Sequence, residues 1–184
     1  MRRLAERLRY LESPGIVLRR LERDDAAALE ELVHDGKVYR YLPGFLYERR
    51  YPDVSRVIDG LYGECLEDSL ILGIFSNGRF CGLAEWYDYL PDTGSVSVGN
   101  RLLSRCWGKG VAPATLEVML RGLKERTDVR TVTATSMTAN RVSGRVLEKF
   151  GFSLTATGLE EDWGLELPAV VDHWEISLSS WTEP

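Results

Sequence analysis

Cysteine and histidine are scarce in this chain of 184 residues, which contains three cysteines and two histidines. Cys65, Cys81 and Cys106 lie far apart, their number is odd, and no two of them have the spacing of a metal-binding pair. The pattern therefore supports neither a disulfide framework nor a zinc site. We predict that the protein binds no metal and that its thiols are reduced, as in the cytoplasm.

Long hydrophobic runs are also missing. The longest strongly apolar run, residues 70–75, has six residues, whereas a membrane helix needs about 20. The basic start of the chain is not followed by the apolar stretch of a secretory signal. Repeats, low-complexity tracts and Pro-rich or Gly/Ser-rich linkers are absent. The sequence thus predicts one domain over residues 1–184, with no membrane partner.

Charge is present in alternating blocks. With 44% hydrophobic and 28% charged residues, the composition is that of an ordinary globular domain. The net charge is −5, but residues 101–150 are strongly basic, and residues 51–100 and 151–184 are strongly acidic. This alternation argues against a nucleic-acid surface, which needs one contiguous basic face. It predicts one anionic and one cationic ligand on different segments; the alternative is solvated charge without a ligand.

Hydrophobic periodicity predicts seven strands and four helices in the order β-α-α-β-β-β-α-β-α-β-β, which is a mixed α/β sheet with helices packed on it. Asn77-Gly78 between two apolar runs predicts a tight β-hairpin. Leu4, Leu8 and Leu11 have helical spacing and predict an extra N-terminal helix within residues 1–13.

A glycine-rich segment, Trp107-Gly108-Lys109-Gly110-Val111-Ala112-Pro113, lies between a predicted strand and a predicted amphipathic helix. Small residues there allow backbone N–H groups to converge beyond the helix N-terminus, where a phosphate binds well. The segment is not a Walker A loop, because Gly110 follows Lys109 where serine or threonine is required. It is not a dinucleotide fingerprint either, because Pro113 stands at the third glycine position.

The segment resembles the acetyl-CoA loop of the GCN5-related N-acetyltransferases (GNAT), written Q/R-x-x-G-x-G/A. Gly110 and Ala112 occupy the small positions, and Trp107 replaces the first residue, as in the RimJ/RimL-like branch. The downstream run from Asn140 through Ser143 to Gly151-Phe152 is similar to the N-x-x-S and G-F elements of that branch. The resemblance extends over about residues 16–178.

The resemblance implies a GNAT-type fold, with a mostly antiparallel sheet of six to seven strands splayed between its fourth and fifth strands and flanked by about four helices. It implies acetyl-CoA as co-substrate and no metal. The residues expected to bind acetyl-CoA lie on the strand before the loop, in the loop and on the later helix: Arg101, Leu102, Leu103, Trp107, Gly108, Lys109, Gly110, Val111, Ala112, Asn140, Ser143 and Arg145.

Acetyl transfer to an amine requires a neutral amine, a polarised carbonyl and a proton for the leaving thiolate. Many family members donate that proton from a tyrosine, but Leu147 stands at its position here. The resemblance leaves Ser143, or a water held by Asn140, for this task. For the base, Glu85 between apolar neighbours is the first candidate, and Asp88, Glu160 and Glu161 are alternatives.

The acceptor side is expected to include the aromatic stretch, the long hairpin strand and the C-terminal strands, with Tyr39, Tyr41, Tyr47, Glu85 and Tyr87 as substrate-binding candidates. Because these regions overlap the acidic blocks, a cationic amine fits: a protein N-terminus, a polyamine or an aminoglycoside. A hydrophobic acceptor is the alternative. A non-catalytic acyl-CoA-binding module of the same fold also remains open, as does a homodimer.

Overall fold

The computed structural model describes residues 1–183. These residues contain five α-helices and eight strands, joined by loops and short 3-10 turns. The helices are α1 (Arg2–Leu8), α2 (Ala26–His34), α3 (Val54–Leu61), α4 (Val111–Arg126) and α5 (Arg141–Lys149). The strands are β1 (Tyr10–Ser13), β2 (Ile16–Arg19), β3 (Ser69–Ser76), β4 (Arg79–Leu90), β5 (Ser95–Leu102), β6 (Thr131–Met137), β7 (Ser153–Glu161) and β8 (Ala169–Ser177).

All eight strands form one sheet in the order β1-β2-β3-β4-β5-β6-β8-β7. Every pairing is antiparallel except that of β5 with β6, which is parallel and joins only residues 95–97 to residues 131–133. Beyond this short pairing the two strands separate, and the sheet opens into two arms. The predicted mixed sheet with a splay is therefore confirmed, although the sheet has eight strands rather than six or seven.

The additional strand lies at the N-terminus, where the helical spacing of the leucines predicted a helix. Helix α1 ends at Leu8, and Tyr10–Ser13 pairs with Ile16–Arg19 as β1. Leu11 still packs inward, against Gly122 of α4, where even a methyl group would lie 2.8 Å from its side chain. Burial of Leu11 is thus satisfied from a strand, which hydrophobic spacing alone could not distinguish from a helix.

The Asn77-Gly78 hairpin is confirmed. Both residues have positive φ, 48° and 74°, as the tight turn between twisted strands requires. Strand β4 also contains a bulge that the sequence did not predict: its register with β5 shifts between Tyr87 and Leu90, and Asp88 has φ 49°. Bulges reorient side chains at sheet edges and beside functional sites, and this one follows Glu85 by three residues.

The core lies between the sheet and its helices. Helix α4, the predicted amphipathic helix after the glycine-rich segment, packs against β1, β2 and β5 and buries Leu116, Met119, Leu120 and Leu123. Trp86 of β4 is fully buried. Because side chains alternate along a strand, Leu83, Glu85 and Tyr87 lie on the other face of β4 from Trp86. That second face carries the polar residues of the site.

Candidate active site

The glycine-rich loop ends in the start of α4. Gly108 and Gly110 have φ of 70° and 76°, a left-handed conformation that glycine adopts without strain. Gly110 is the N-cap residue of the 16-residue helix α4, and no atom lies within 4 Å of where a β-carbon of either glycine would be. The space beside the start of α4 is therefore open, and the first N–H groups of a helix have no acceptor within it, an arrangement that suits the pyrophosphate of coenzyme A.

Three contacts hold this loop in place. The Trp107 indole donates from Nε1 to the carbonyl oxygen of Leu102 over 2.8 Å. The Ser104 N–H donates to Asp35 Oδ2 over 2.8 Å, and Arg105 pairs with Glu31 of α2 over 2.8 and 3.1 Å. Burial alone raises the pKa of Asp35, but the hydrogen bonds from Ser104 lower it on balance. Trp107 thus fixes the loop on β5, a role the sequence did not indicate.

A groove of about 400 Å³ opens beside the loop. Lys109, Gly110 and Val111 line one side of it, and Gly15 and Asn77 of the facing turns line the other. The groove leaves room for a large anionic group next to the N-terminus of α4. Lys109 is exposed at its rim.

The splay supplies a second part of the predicted acetyl-CoA site. Residues 98–102 of β5 pair with β4 on one side, and no strand of the described chain pairs with their other side. Leu102 and Leu103 are buried, so that a ligand could reach only their backbone. Of that backbone, the Leu102 carbonyl already accepts from Trp107 and the Leu103 N–H donates to the Cys81 carbonyl. An extended pantetheine arm could pair with such a free strand edge as an added strand does.

Helix α5 borders the other arm. The Asn140 side chain caps it by accepting from the Ser143 N–H over 3.4 Å. Ser143 is half-buried and Arg145 is exposed. Leu147 is 6% exposed and contributes to the core. The structure thus brings the loop, the open edge of β5 and the start of α5 to the same end of the sheet.

A buried ion triad, formed by Glu48, Glu85 and Arg101, lies on the second face of the sheet. Arg101 Nε is 2.5 Å from Glu48 Oε1, Nη2 donates to Glu48 Oε2 over 2.7 Å, and Nη1 donates to Glu85 Oε2 over 2.6 Å. The side chains of Arg101, Glu48 and Glu85 are 3%, 0% and 14% exposed. Glu85 alone of the three reaches solvent to an appreciable extent.

Sequence reasoning missed Glu48 and assigned Arg101 only to acetyl-CoA binding. One signal was available, since Glu48 is the single acidic residue between positions 36 and 52 of a stretch rich in tyrosine and arginine. Burial by itself lowers the pKa of Arg101, but the two carboxylates outweigh it and raise the pKa, so the guanidinium stays charged. The triad carries one excess negative charge.

Two predicted tyrosines lie at the triad. The Tyr39 hydroxyl donates to Glu48 Oε1 over 3.3 Å, and Tyr87 lies two residues from Glu85 on the same face of β4. Burial, followed by the nearby carboxylate charge, raises the pKa of both phenols well above the usual range. Burial and the charge of Glu85 likewise raise the pKa of the Cys65 thiol to about 12. These groups stay neutral at physiological pH.

The other two predicted tyrosines point elsewhere. Tyr47 donates to Glu64 Oε1 over 2.5 Å, and Tyr51 donates to the same oxygen over 2.9 Å. The Arg40 guanidinium lies over the ring of Tyr41, 5.3 Å from its centre. Tyr41 and Tyr47 thus have partners other than the triad, and a role in acceptor binding stays a prediction for both.

A bridge, defined as residues 42–48, connects the two arms on this face. At one end Glu48 binds Arg101 of β5. Near the other end the Gly44 N–H donates to the carbonyl oxygen of Trp163, in the β7–β8 connection, over 2.7 Å. A β-carbon on Gly44 would lie 2.5 Å from the Gly164 carbonyl oxygen, so this approach requires glycine. The bridge therefore crosses the open end of the splay.

The alternative bases are also placed. Glu161 binds His173 Nε2 over 2.5 Å, and its charge contributes to the raised pKa of Tyr87, which puts it near that ring. Glu160 is exposed, and Asp88 lies in the β4 bulge. Among residues 1–183, no three His, Cys, Asp or Glu side chains cluster as metal ligands, and no helix is long and apolar enough to cross a bilayer.

Comparison with known proteins places this geometry in a family. A family model described as an acetyltransferase (GNAT) domain matches residues 16–153. The fold is similar to that of a Salmonella typhimurium acetyltransferase that modifies the N-terminal serine of a 50S ribosomal protein, at 17% identity and a TM-score of 0.76, over 90% of this chain and 96% of that one.

Two similar folds were solved with ligands. Mycobacterium smegmatis RimJ with CoA-disulfide has 22% identity and a TM-score of 0.76, over 91% of this chain and 85% of that one. The microcin C7 self-immunity acetyltransferase MccE with acetyl-CoA and AMP has 15% identity and a TM-score of 0.75, over 90% and 93% of the two chains. The acetyltransferase family model matches most of this chain, and the splayed sheet agrees with that match. This chain therefore belongs to the GNAT family of acetyl-CoA-dependent N-acetyltransferases, and it shares its fold with RimJ.

Proposed function

We propose that this acetyltransferase moves the acetyl group directly from acetyl-CoA to a primary amine whose head group is cationic, in a ternary complex without an acyl-enzyme. The observation that carries the proposal is the position of Glu85. This carboxylate is fixed by Arg101 on the second face of β4, partly open to solvent, one strand away from the free edge of β5. A donor edge and an anionic acceptor face thus adjoin.

On the donor side, backbone groups do most of the binding. The N–H groups from Gly108 to Ala112 hold the pyrophosphate, and the edge of residues 101–103 pairs with the pantetheine arm. The side chain of Arg145, exposed on α5, is available to a phosphate. Acetyl-CoA supplies an activated thioester carbonyl, and the chain supplies its orientation.

On the acceptor side, Glu85 attracts the ammonium and takes up its proton, directly or through a water. Its Oε2 is occupied by Arg101, which leaves Oε1 for the amine. Among the alternative bases, Glu161 is held by His173. Asp88 lies three residues beyond Glu85 on β4, and Glu160 lies on β7. Tyr87 and Tyr39 are neutral and serve as polar walls rather than as bases.

The leaving thiolate needs a hydrogen-bond donor. Ser143 is half-buried in the first turn of α5, beside the open edge of the splay, and its hydroxyl is the proposed donor. Its backbone N–H is already used in the cap, whereas its hydroxyl is free for this purpose. A water on the Asn140 amide is the alternative donor.

The acceptor classes that fit are a protein N-terminus, a polyamine and an aminoglycoside. The relative that modifies an N-terminal serine makes a polypeptide α-amine the first to test. We place the reaction in the cytoplasm, in keeping with the three buried, free cysteines. A homodimer stays a prediction that light scattering would test.

A thiol-release assay with acetyl-CoA tests this function. The panel contains short peptides with free α-amines, the same peptides with blocked N-termini, polyamines, aminoglycosides and uncharged hydrophobic amines. Release with a free-amine cationic class and none with its blocked counterpart is expected. Release only with uncharged hydrophobic amines would contradict the cationic acceptor.

A further inference from the structure

The buried ion triad joins the acceptor side of the molecule to the strand that borders acetyl-CoA. Arg101 belongs to β5, Glu85 to the neighbouring β4, and Glu48 to the bridge. We propose that Arg101 is a positioning residue that holds Glu85 ionised and oriented toward the amine, and that its second contact, with Glu48, fastens the bridge over the splay. The inference rests on the proposed role of Glu85.

The charge balance of the triad makes Arg101 indispensable to it. Two carboxylates contact one guanidinium, and Glu48 is fully buried. Without Arg101 the two carboxylates would face each other in a site of low polarity, where like charges disfavour ionisation and one of them takes up a proton. A protonated Glu85 can neither attract an ammonium nor accept its proton.

The groups around Glu85 do not replace that cation. Tyr39 and Tyr87 are neutral, Cys65 is a neutral thiol, and Glu161 adds negative charge. Asp88 follows on the same strand and is also acidic.

Two further basic side chains lie nearby. Arg49 stacks on the ring of Tyr39 at 4.6 Å but is itself exposed. His173 is engaged by Glu161. The geometry therefore assigns the neutralisation of the triad to Arg101.

The shape of arginine matters as well as its charge. Its Nη2 donates to Glu48 and its Nη1 to Glu85, while Nε lies close to the other oxygen of Glu48 without a hydrogen bond. This fork serves two carboxylates on two different elements at once. A lysine ammonium is a single point of charge and cannot reproduce the arrangement.

The bridge depends on the same residue. It has no regular strand or α-helix, and it is fastened to β5 through Glu48 and to the β7–β8 connection through Gly44. Loss of Arg101 would release one of these two attachments. Amine affinity should fall as a result, whereas the loop at Gly110, held by Asp35 and Glu31, should keep its affinity for acetyl-CoA.

The test compares Arg101→Met, Arg101→Lys and the double variant Arg101→Met/Glu48→Met with wild type. Arg19→Met is the matched control, because Arg19 also bridges a carboxylate, Asp25, from a strand, but away from the site. Acetyl-CoA affinity, kcat and KM for the amine, and the pH profile of kcat/KM are measured for each. The free energy of unfolding is measured from pH 5 to 8.

We expect Arg101→Met to lower kcat/KM for the amine by about tenfold or more at neutral pH and to move the acid limb of its profile upward by about one pH unit or more. Arg101→Lys should recover part of this loss. The double variant should restore the acid limb, because the opposing carboxylate is gone. Acetyl-CoA affinity should change by less than about threefold, as backbone contacts dominate it.

The unfolding measurement separates this inference from the proposed function, since it needs no turnover. A carboxyl group that is protonated in the folded Arg101→Met protein makes unfolding easier as the pH rises through 5 to 8. Wild type, Arg19→Met and the double variant should lack that slope. Absence of the slope, or an unshifted acid limb with merely lower stability, would overturn the inference. Presence of the slope in a protein that acetylates no amine would instead refute the proposed function.

Discussion

The proposed acetyl-CoA site depends most directly on Gly110. Its φ of 76° is strained for any β-branched side chain, and its β-carbon would project into the space before α4. We expect Gly110→Val to weaken acetyl-CoA binding at least about tenfold, because the loop N–H groups lose their convergence. Isothermal titration calorimetry measures the change.

Gly158→Val is the control for that substitution. Gly158 has a φ of 70° and open space around its β-carbon position, but it lies in β7. It should destabilise the fold by about 1–2 kcal/mol, like Gly110→Val, without affecting acetyl-CoA affinity. Undiminished affinity in Gly110→Val would exclude the loop as the pyrophosphate site.

At the residue scale, replacing Ser143 tests whether its hydroxyl acts in the chemical step or only in acetyl-CoA binding. Replacing its hydroxyl in Ser143→Ala should lower kcat by about 10²-fold, the lower range for a lost proton donor. The helix cap from Asn140 uses the Ser143 backbone and should persist. An unchanged kcat with weaker acetyl-CoA binding would make Ser143 a binding residue. An unchanged kcat with unchanged acetyl-CoA binding would assign the donor role to a water on Asn140.

The proposed donor site could be inferred from the sequence because its chemistry is local. A loop that binds phosphate through consecutive N–H groups is written in consecutive residues, Gly108 to Ala112. The triad is different, since Glu48, Glu85 and Arg101 come from three separate segments. Only the folded sheet brings Arg101 between the two carboxylates, so no spacing rule could have found it.

Among the elements, the bridge contains no strand or α-helix. The close approach of Gly44 to the backbone of Gly164 constrains it. In Gly44→Val the side chain would collide with the backbone of Gly164, 2.5 Å from the β-carbon position. We expect a several-fold higher KM for the amine and unchanged acetyl-CoA affinity. Steady-state kinetics with varied amine, together with calorimetry, provides the measurement.

Gly36→Val is the matched control for the bridge. Gly36 is exposed in the same part of the chain, and no atom lies within 4 Å of its β-carbon position. Its KM should equal that of wild type. A normal KM in Gly44→Val would show that the bridge does not contribute to acceptor binding.

The elements also show where sequence patterns succeed. The hairpin at Asn77-Gly78 could be predicted because its two turn residues are consecutive in the sequence and both take the positive φ that the turn requires. The first strand was missed because a leucine at position 11 fits a helix stripe and a half-buried strand equally well. The bulge at Asp88 leaves no local sequence signal, since it depends on the pairing of β4 with β5.

At the scale of the whole molecule, acid should destabilise the fold through carboxylates that are hydrogen-bonded in it. Burial alone raises the pKa of Asp25, but hydrogen bonds from Arg19 and from the Glu22 N–H lower it on balance. In Asp172, burial is likewise outweighed by hydroxyl donors, Thr157 and Thr138, and the pKa is lowered.

Because these folded-state pKa values lie below the unfolded values, their stabilisation is complete above about pH 4 and is lost as the pH falls further. Denaturant unfolding at a series of pH values should show this loss in wild type. Asp25→Asn/Asp172→Asn should be less stable at neutral pH and should lose less below about pH 4. An equal acid dependence of both proteins would contradict the assignment.

At the same scale, we propose that an acetyl group passes from acetyl-CoA to a cationic amine with no covalent enzyme intermediate. Mass spectrometry of the protein, the acceptor and coenzyme A after incubation with isotope-labelled acetyl-CoA tests this most directly. Without acceptor, we expect the protein to stay unmodified. With acceptor, we expect one labelled acetyl group on the amine for each coenzyme A released. A labelled protein, or bound acetyl-CoA that no amine consumes, would contradict this proposal, and the latter result would favour an acyl-CoA-binding module.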